Sequence, residues 1–174
     1  MIFTGDISIP FAGGINFKGI PSEELCKLWI GNLEGSLVDV NEDKLNELIG
    51  KRIVFNNVEA IKELLQTIPF HAFGMANNHL LDACGIEESL YNLKSIAKEE
   101  FGAGQNLSQA GKALLVSDKS RDYAIYAFGS RNINCVDAKT NKEGSNPYNK
   151  WHVLEILNHA VNTYPNRRVI AFMH

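Results

Sequence analysis

A chain of 174 residues has the length of one domain, and folding at that length removes roughly 70% of the extended chain's surface from water. With 45% hydrophobic and 21% charged residues, the composition is that of a globular protein and excludes a disordered or fibrous one. Seventeen Lys and Arg against twenty Asp and Glu leave a formal charge of -3, which argues against nucleic acid as a partner.

No apolar run approaches the roughly 18 residues that would cross a bilayer, and the opening Met1 to Asp6 has neither a basic leader nor a signal-peptide core. The chain therefore reads as cytoplasmic, with no membrane segment. Cys26, Cys84 and Cys135 are odd in number and form no Cys-x-x-Cys pair, so they read as buried thiols rather than a disulfide framework or a Cys-rich zinc site.

Met1 to Ile9 is an apolar run that breaks at Pro10 and Gly13-Gly14, as a buried strand feeding a loop would. Pro21-Ser22-Glu23-Glu24 opens a helix with acids in its first turn, and Leu28-Trp29-Ile30 reads as a second strand ending at Gly31-Asn32. A short helix over Asp43 to Ile49 and a strand over Arg52 to Phe55 follow. Asn57 can cap a helix whose Ile61, Leu64, Leu65 and Ile68 share one face.

The apolar run Phe70 to Ala76 stops at Asn77-Asn78-His79. Gly85 to Glu99 is the clearest helix, with Ile86, Leu90, Leu93 and Ala97 spaced by four, three and four. Ala113 to Val116 and Tyr123 to Phe128 predict a hairpin around a polar turn at Asp118 to Asp122. Val136 to Asn149 is polar and reads as a surface loop, before a helix from Lys150 to Thr163 and a last strand from Arg168 to Met173. Alternating strands and amphipathic helices give an α/β fold, in which ligands gather at the carboxyl ends of strands. No repeat or linker marks a second domain.

Four polar clusters directly follow predicted strands: Gly5-Asp6, Asn32-Leu33-Glu34, Asn77-Asn78-His79 with Asp82, and His174. Their oxygens and imidazoles suit Mn, Fe, Zn or Mg better than a thiolate-loving metal. A two-metal hydrolytic site needs a carboxylate bridging cations about 3.5–4 Å apart, and Glu34 is the candidate bridge. Each residue also has a simpler reading: Asp6 as a loop acid, Asn32 and Asn77 as turn formers, His79 as a polar residue at a helix entry, and Asp82 as that helix's cap. Gly102-Ala103-Gly104 begins like a dinucleotide fingerprint, but Leu107 stands at the third glycine and a helix precedes the pattern. No Gly-x-x-x-x-Gly-Lys loop and no Gly-x-Ser-x-Gly elbow occurs. His71, His152 and His159 read as structural residues on strand and helix faces.

In this order the clusters resemble the CapA-like capsule biosynthesis family, named for poly-γ-glutamate synthesis and similar in fold to calcineurin-type metallophosphoesterases. The matching stretches are Gly5-Asp6, Asn32-Leu33-Glu34-Gly35, Ala76-Asn77-Asn78-His79 with Asp82 and Gly85, and Gly102-Ala103-Gly104-Gln105-Asn106 with Ala110. His174 matches the start of the family's His-Trp-Gly-x-Glu motif. The resemblance implies a four-layer αββα sandwich forming a single domain over residues 1–174. It implies a divalent metal held by Asp6, Glu34, Asn78 and His174, with Asn78, His79 and Asp82 in the catalytic group. His79 would protonate a leaving oxygen or hold a phosphoryl oxygen while a metal-generated hydroxide attacks phosphorus.

The implied substrate is a phosphorylated or polyanionic small molecule or polymer, and the implied partners are capsule synthase components and a second copy of the chain. Ser8 stands where the general phosphoesterase pattern Asp-x-His has its histidine, as is common in the CapA-like branch. The resemblance also implies a domain truncated at its C-terminus, since the sequence stops at His174 before the rest of that motif, and hence weak metal binding and little hydrolysis. Three functions follow for comparison: a metal-dependent phosphoesterase-type hydrolase, a non-catalytic scaffold for a polymer synthase with a vestigial metal site, and a nucleotide-binding module resting only on the broken glycine pattern.

Overall fold

The computed structural model describes residues 1–15, 18–119 and 121–174. In chain order its first elements are β1 (Ile2–Ile7), α1 (Ser22–Leu25), β2 (Trp29–Leu33), β3 (Ser36–Val38), α2 (Glu42–Leu48), β4 (Phe55–Asn57), α3 (Val58–Thr67) and β5 (Phe70–Gly74). They continue with α4 (Ile86–Ser95), β6 (Glu99–Phe101), β7 (Ala103–Gly104), α5 (Leu107–Ala110), β8 (Leu114–Asp118), β9 (Arg121–Phe128), β10 (Gly144–Ser145), α6 (Lys150–Thr163) and β11 (Arg168–Met173).

The fold is mixed α/β. One sheet is parallel throughout, in the order β1-β2-β5-β6. A second has the order β11-β9-β8, with β11 parallel and β8 antiparallel to β9. Two short pairs, parallel β3–β4 and antiparallel β7–β10, stand apart from them.

Burial on both faces explains the composition of the central strands, since a strand covered on two sides reads as a continuous apolar run. Ile30, Ala72 and Phe101 of the first sheet pack on Leu114, Val116, Ile125 and Ala127 of the second. On the first sheet's other face, Trp29, Leu33 and Phe73 pack on Val58, Ile61 and Leu64 of α3 and on Ile86 and Leu93 of α4. Successive β9 residues alternate sides, so Ala124, Tyr126 and Phe128 meet Val153 and Ala160 of α6 instead.

Helix starts follow capping chemistry. Asn57 accepts from Glu59 N to open α3, and Asn149 accepts from Trp151 N and His152 N to open α6. Gly85 offers α4 no side-chain cap, and Ile86 N donates to Glu143 Oε2 at 3.0 Å instead.

Several elements depart from expectation. The β1 strand, read as buried, is a sheet edge with half-exposed residues. The β2 strand continues through Gly31-Asn32 to Leu33, because Gly31 has no side chain: a Cβ there would lie 2.6 Å from Ile7 Cδ1. Ala97 adopts φ 53° and ends the α4 region early, which frees Glu99–Phe101 to pair with β5 as a strand. The strand expected over Arg52 to Phe55 is shifted to Phe55–Asn57 by its pairing with the unanticipated β3. Val136 to Asn149 is not wholly a surface loop, since Gly144, Ser145 and Asn146 are buried.

The β8–β9 hairpin forms, although Ser120 of its turn lies outside the described residues. Of the cysteines, Cys26 is exposed, Cys84 is half-buried and Cys135 is buried, with burial pushing the Cys135 thiol up to about 11. The Gly102-Ala103-Gly104 stretch follows strand β6, not a helix. Gly102 serves close packing, for a Cβ there would lie 2.5 Å from that of Ala127.

The turn after β2 demands glycine twice over. Gly35 sits at φ +91°, and a Cβ on it would lie 2.4 Å from the Val54 carbonyl oxygen, whereas Gly50 at φ +86° faces open space. Gly50→Ala should therefore cost only the left-handed backbone strain, about 1–2 kcal/mol. Gly35→Ala must also displace backbone and should cost at least about 3 kcal/mol, where each 1 kcal/mol lowers Tm by about 2–4 °C at this chain length. Thermal unfolding of both variants checks this; equal losses would show that the Val54 contact is yielding.

Candidate metal centre

The register of the first sheet sets Asp6 opposite Asn32, after an irregularity in β1 between Phe3 and Asp6. Asn32 is buried within β2 and its Nδ2 donates to Asp6 Oδ1 at 2.6 Å. One residue past β2, Glu34 is fixed by its backbone, with its N–H donating to Ile7 O at 2.9 Å and its carbonyl accepting from Asn56 Nδ2 at 2.7 Å. Beyond β5, the fully buried Asn77 accepts from Gly35 N and His79 N at 3.1 and 3.0 Å and donates to Leu33 O at 2.8 Å. His174 arrives from the second sheet, held by its N–H to Phe128 O at 3.0 Å and its carbonyl from Ser130 N at 3.1 Å.

These strand ends bring six side chains together. His174 Nε2 donates to Asn78 Oδ1 at 3.0 Å and its Nδ1 accepts from Asn32 Nδ2 at 3.3 Å, which defines one neutral tautomer. His174 Nδ1 lies 3.6 Å from Asp6 Oδ1, and its Nε2 lies 4.0 Å from Glu34 Oε1. His79, partly exposed, places Nε2 at 3.8 Å from the same Glu34 oxygen. Its Nδ1 donates to Asp82 Oδ2 at 2.7 Å, an oxygen that also accepts from Val54 N at 2.9 Å.

Residues 23–172 match the family model of the bacterial capsule synthesis protein PGA_cap. The chain belongs to this bacterial capsule synthesis family. The CapA-like assignment follows, and with it a role in capsule biosynthesis. No curated protein matches the chain. Within this capsule synthesis protein, Glu34, Asn77, Asn78, His79 and Asp82 fall inside the matched span, whereas Asp6 and His174 lie outside it and join the cluster by geometry. No helix among the described residues is long and apolar enough to cross a membrane.

Burial raises the Glu34 carboxyl above its ordinary range, the hydrogen bond and charge of Asp6 raise it further, and His174 and His79 pull it back. A buried carboxylate facing another favours a proton or a cation between them. The donor types fit a hard or borderline divalent ion: two carboxylates, two imidazoles and two carboxamides. The buried Asn32 Oδ1 has no hydrogen-bond partner among the described residues. Two ligands of one ion at about 2.0–2.2 Å lie no more than about 4.4 Å apart, and the pairs above satisfy that limit. They do not close on one point, because His174 turns Nδ1 to Asp6 and Nε2 to Glu34. Among the described residues, accordingly, no group of three or more His, Cys, Asp or Glu side chains is arranged to hold a metal ion.

Two simpler readings are corrected here. Asn32 is no turn former, since it lies inside β2, and Asp82 caps no helix, since it binds His79 and Val54 N. Asn56 was not anticipated; it accepts from Ile9 N at 2.8 Å and so ties the end of β1 to Glu34. Its signal was a carboxamide just after an apolar strand. His71, His152 and His159 stay away from the cluster, with His152 Nε2 on Asn146 Oδ1 at 2.8 Å and His159 against Thr163.

A carboxyl whose folded pKa is raised contributes stability in full below its unfolded value, and loses it as pH rises from that ordinary 4.5 through the raised value. Glu34→Gln should therefore raise Tm in chelator at pH 7, with the gain fading as pH falls toward 4. Asn77→Ala should act oppositely, losing about 2–4 kcal/mol at every pH because it strands several buried partners. Melting curves across pH check both signs.

Proposed function

We propose that this capsule synthesis protein carries a metallophosphoesterase-type centre and acts as a metal-dependent hydrolase on a phosphorylated or polyanionic substrate. The observation that supports it is the delivery of Asp6, Glu34, Asn78 and His174 by strand ends of two sheets to one locus, with the His79–Asp82 pair at its edge. A four-layer αββα sandwich of phosphoesterase type is the architecture we infer, given apolar clusters between the sheets and under helices on either side.

In this reading Asp6, Glu34, Asn78 and His174 hold the divalent ion, which supplies Lewis acidity and a nucleophile at neutral pH. Asn32 carries the orphaned Oδ1 and is a further oxygen donor for the ion. Asp82 accepts the Nδ1 proton of His79, fixing the tautomer and ring orientation. His79 Nε2 then faces Glu34 across 3.8 Å and is free to hold a phosphoryl oxygen or pass a proton to a leaving oxygen. Buried Asn77 keeps Glu34 and His79 in fixed relation throughout.

A second reading, a scaffold for a polymer synthase with a vestigial site, is favoured by the lack of a ready three-residue ligand group among the described residues. Elemental analysis paired with phosphomonoester and phosphodiester turnover separates the two. The hydrolase reading expects bound divalent metal and turnover that falls about 10²–10⁴-fold in His79→Ala with metal content retained. Asp82→Asn should cost about 10–100-fold, as loss of an orienting partner does. Metal-free protein with no turnover on any ester would leave the scaffold.

A further inference from the structure

A cavity of about 460 Å³ opens beside β6, the edge strand of the first sheet, and shares no residue with the Asp6–Glu34–His174 cluster. One wall is a face of α4, where Glu87, Leu90, Tyr91 and Lys94 recur at the helical period. The rest comes from β6 and from the segment around α5 that carries Gln105, Gln109 and Lys112. Leu90, Phe101 and Ala103 give the cavity an apolar lining, and the last two are buried.

The charges around this lining are unpaired. Glu87, Lys94, Glu99, Glu100 and Lys112 all line the cavity, yet among the described residues none of them makes an ion pair. Elsewhere in the chain Lys27 and Lys62 each close on a glutamate three residues before, at 2.6 and 2.7 Å. Four of the five reach solvent, but Glu100 is half-buried, and that burial raises its carboxyl above the ordinary range. Lys94 and Lys112 pull it back while Glu99 pushes it further, so both signs of charge surround one carboxylate instead of standing at opposite poles. Gln109 is held in place, since its Oε1 accepts from Gln105 N at 3.0 Å while its amide N–H groups have no partner among the described residues. Gly104 admits it, for a Cβ there would lie 2.5 Å from Gln109 Cβ.

These groups disfavour a ligand of either single charge. An anion meets three carboxylates, and a cation meets two ammonium groups. A zwitterion needs its two charges received at separate ends, which intermixed charges do not offer. A neutral sugar ring has C–H bonds on its faces and, around its edge, hydroxyls that both donate and accept. We infer that the cavity binds a neutral saccharide, with ring faces on Leu90, Phe101 and the Tyr91 ring and with hydroxyls directed to Glu100, Gln109 and the two lysines. Ligand cavities span about 300–1,000 Å³ and about 150 Å³ holds benzene, so the space admits a disaccharide. This inference depends on neither reading of the candidate centre.

Calorimetric and ligand-observed NMR titrations in chelator test it, using cellobiose, maltose and diacetylchitobiose, with glutamine as the zwitterion. At least one disaccharide is expected to bind with a Kd at or below about 1 mM, and glutamine at least about tenfold more weakly. Tyr91→Ala and Glu100→Gln should each weaken disaccharide binding about tenfold, as loss of one aromatic contact or one charged hydrogen bond does. Tyr91 is 72% exposed and glutamine has the shape of glutamate, so neither change disturbs packing, which an unchanged Tm checks. No binding by any of the disaccharides up to about 20 mM would overturn the inference, as would glutamine binding more tightly than all of them. Disaccharide affinity unchanged in both variants would place the ligand elsewhere and overturn it equally.

Discussion

Asn77 is fully buried, and its carboxamide accepts from the N–H groups of Gly35 and His79 while donating to the carbonyls of Leu33 and Met75. One side chain thus joins the turn after β2 to the loop after β5, the two segments that carry Glu34 and His79. A buried amide with its hydrogen bonds made is neutral or favourable, but each partner stranded by its loss costs about 1–3 kcal/mol. Such a joint holds geometry without charge, and the site needs that, because its charged groups repel. Asn56 repeats the device on the other side, binding Ile9 N and Glu34 O.

Within this frame of carboxamides sit groups that elementary electrostatics would separate. Glu34 is held near Asp6 although burial and that neighbour both disfavour its charge. Asn32 spends its N–H donors on Asp6 and His174 and leaves Oδ1 buried without a partner among the described residues. Each feature lowers the stability of the isolated chain, and a molecule tends to keep such costs where a ligand removes them. A cation would offset the carboxylate repulsion and give the orphaned oxygen a partner.

The bounds of α6 and β11 were legible in the sequence because Asn149 is a strong cap and Val169 to Met173 is a continuous apolar run after a turn. The strand pairs β3–β4 and β7–β10 were not, since segments of two or three residues are too short to show a period and form only through distant partners. Site residues followed the same division. Asp6, Glu34, Asn78 and His174 stand out as polar residues just past apolar runs. What Asn32 and Asn56 do depends on which residues lie opposite them, and that register is set by the whole sheet. The β1 strand failed as a buried element because apolar composition does not say which strand lies at an edge, and Cys26 failed because it sits in the turn that ends α1.

His174 comes from a different sheet than the other members of the cluster, so the site exists only as far as the two sheets keep their spacing. Two residues before it, Phe172 stacks on Phe3 of β1 at 5.8 Å between ring centroids and packs at a tilt on Phe101 of β6 at 6.3 Å. These rings come from the two edge strands of the first sheet, so β11 is gripped at both margins. Gly74 makes room between them, since a Cβ there would lie 3.3 Å from both Phe101 and Phe172. Aromatic contacts of this kind are worth about 0.5–1.5 kcal/mol beyond their area. They are apolar and indifferent to pH and salt, so the position of His174 over Asn78 is fixed by packing.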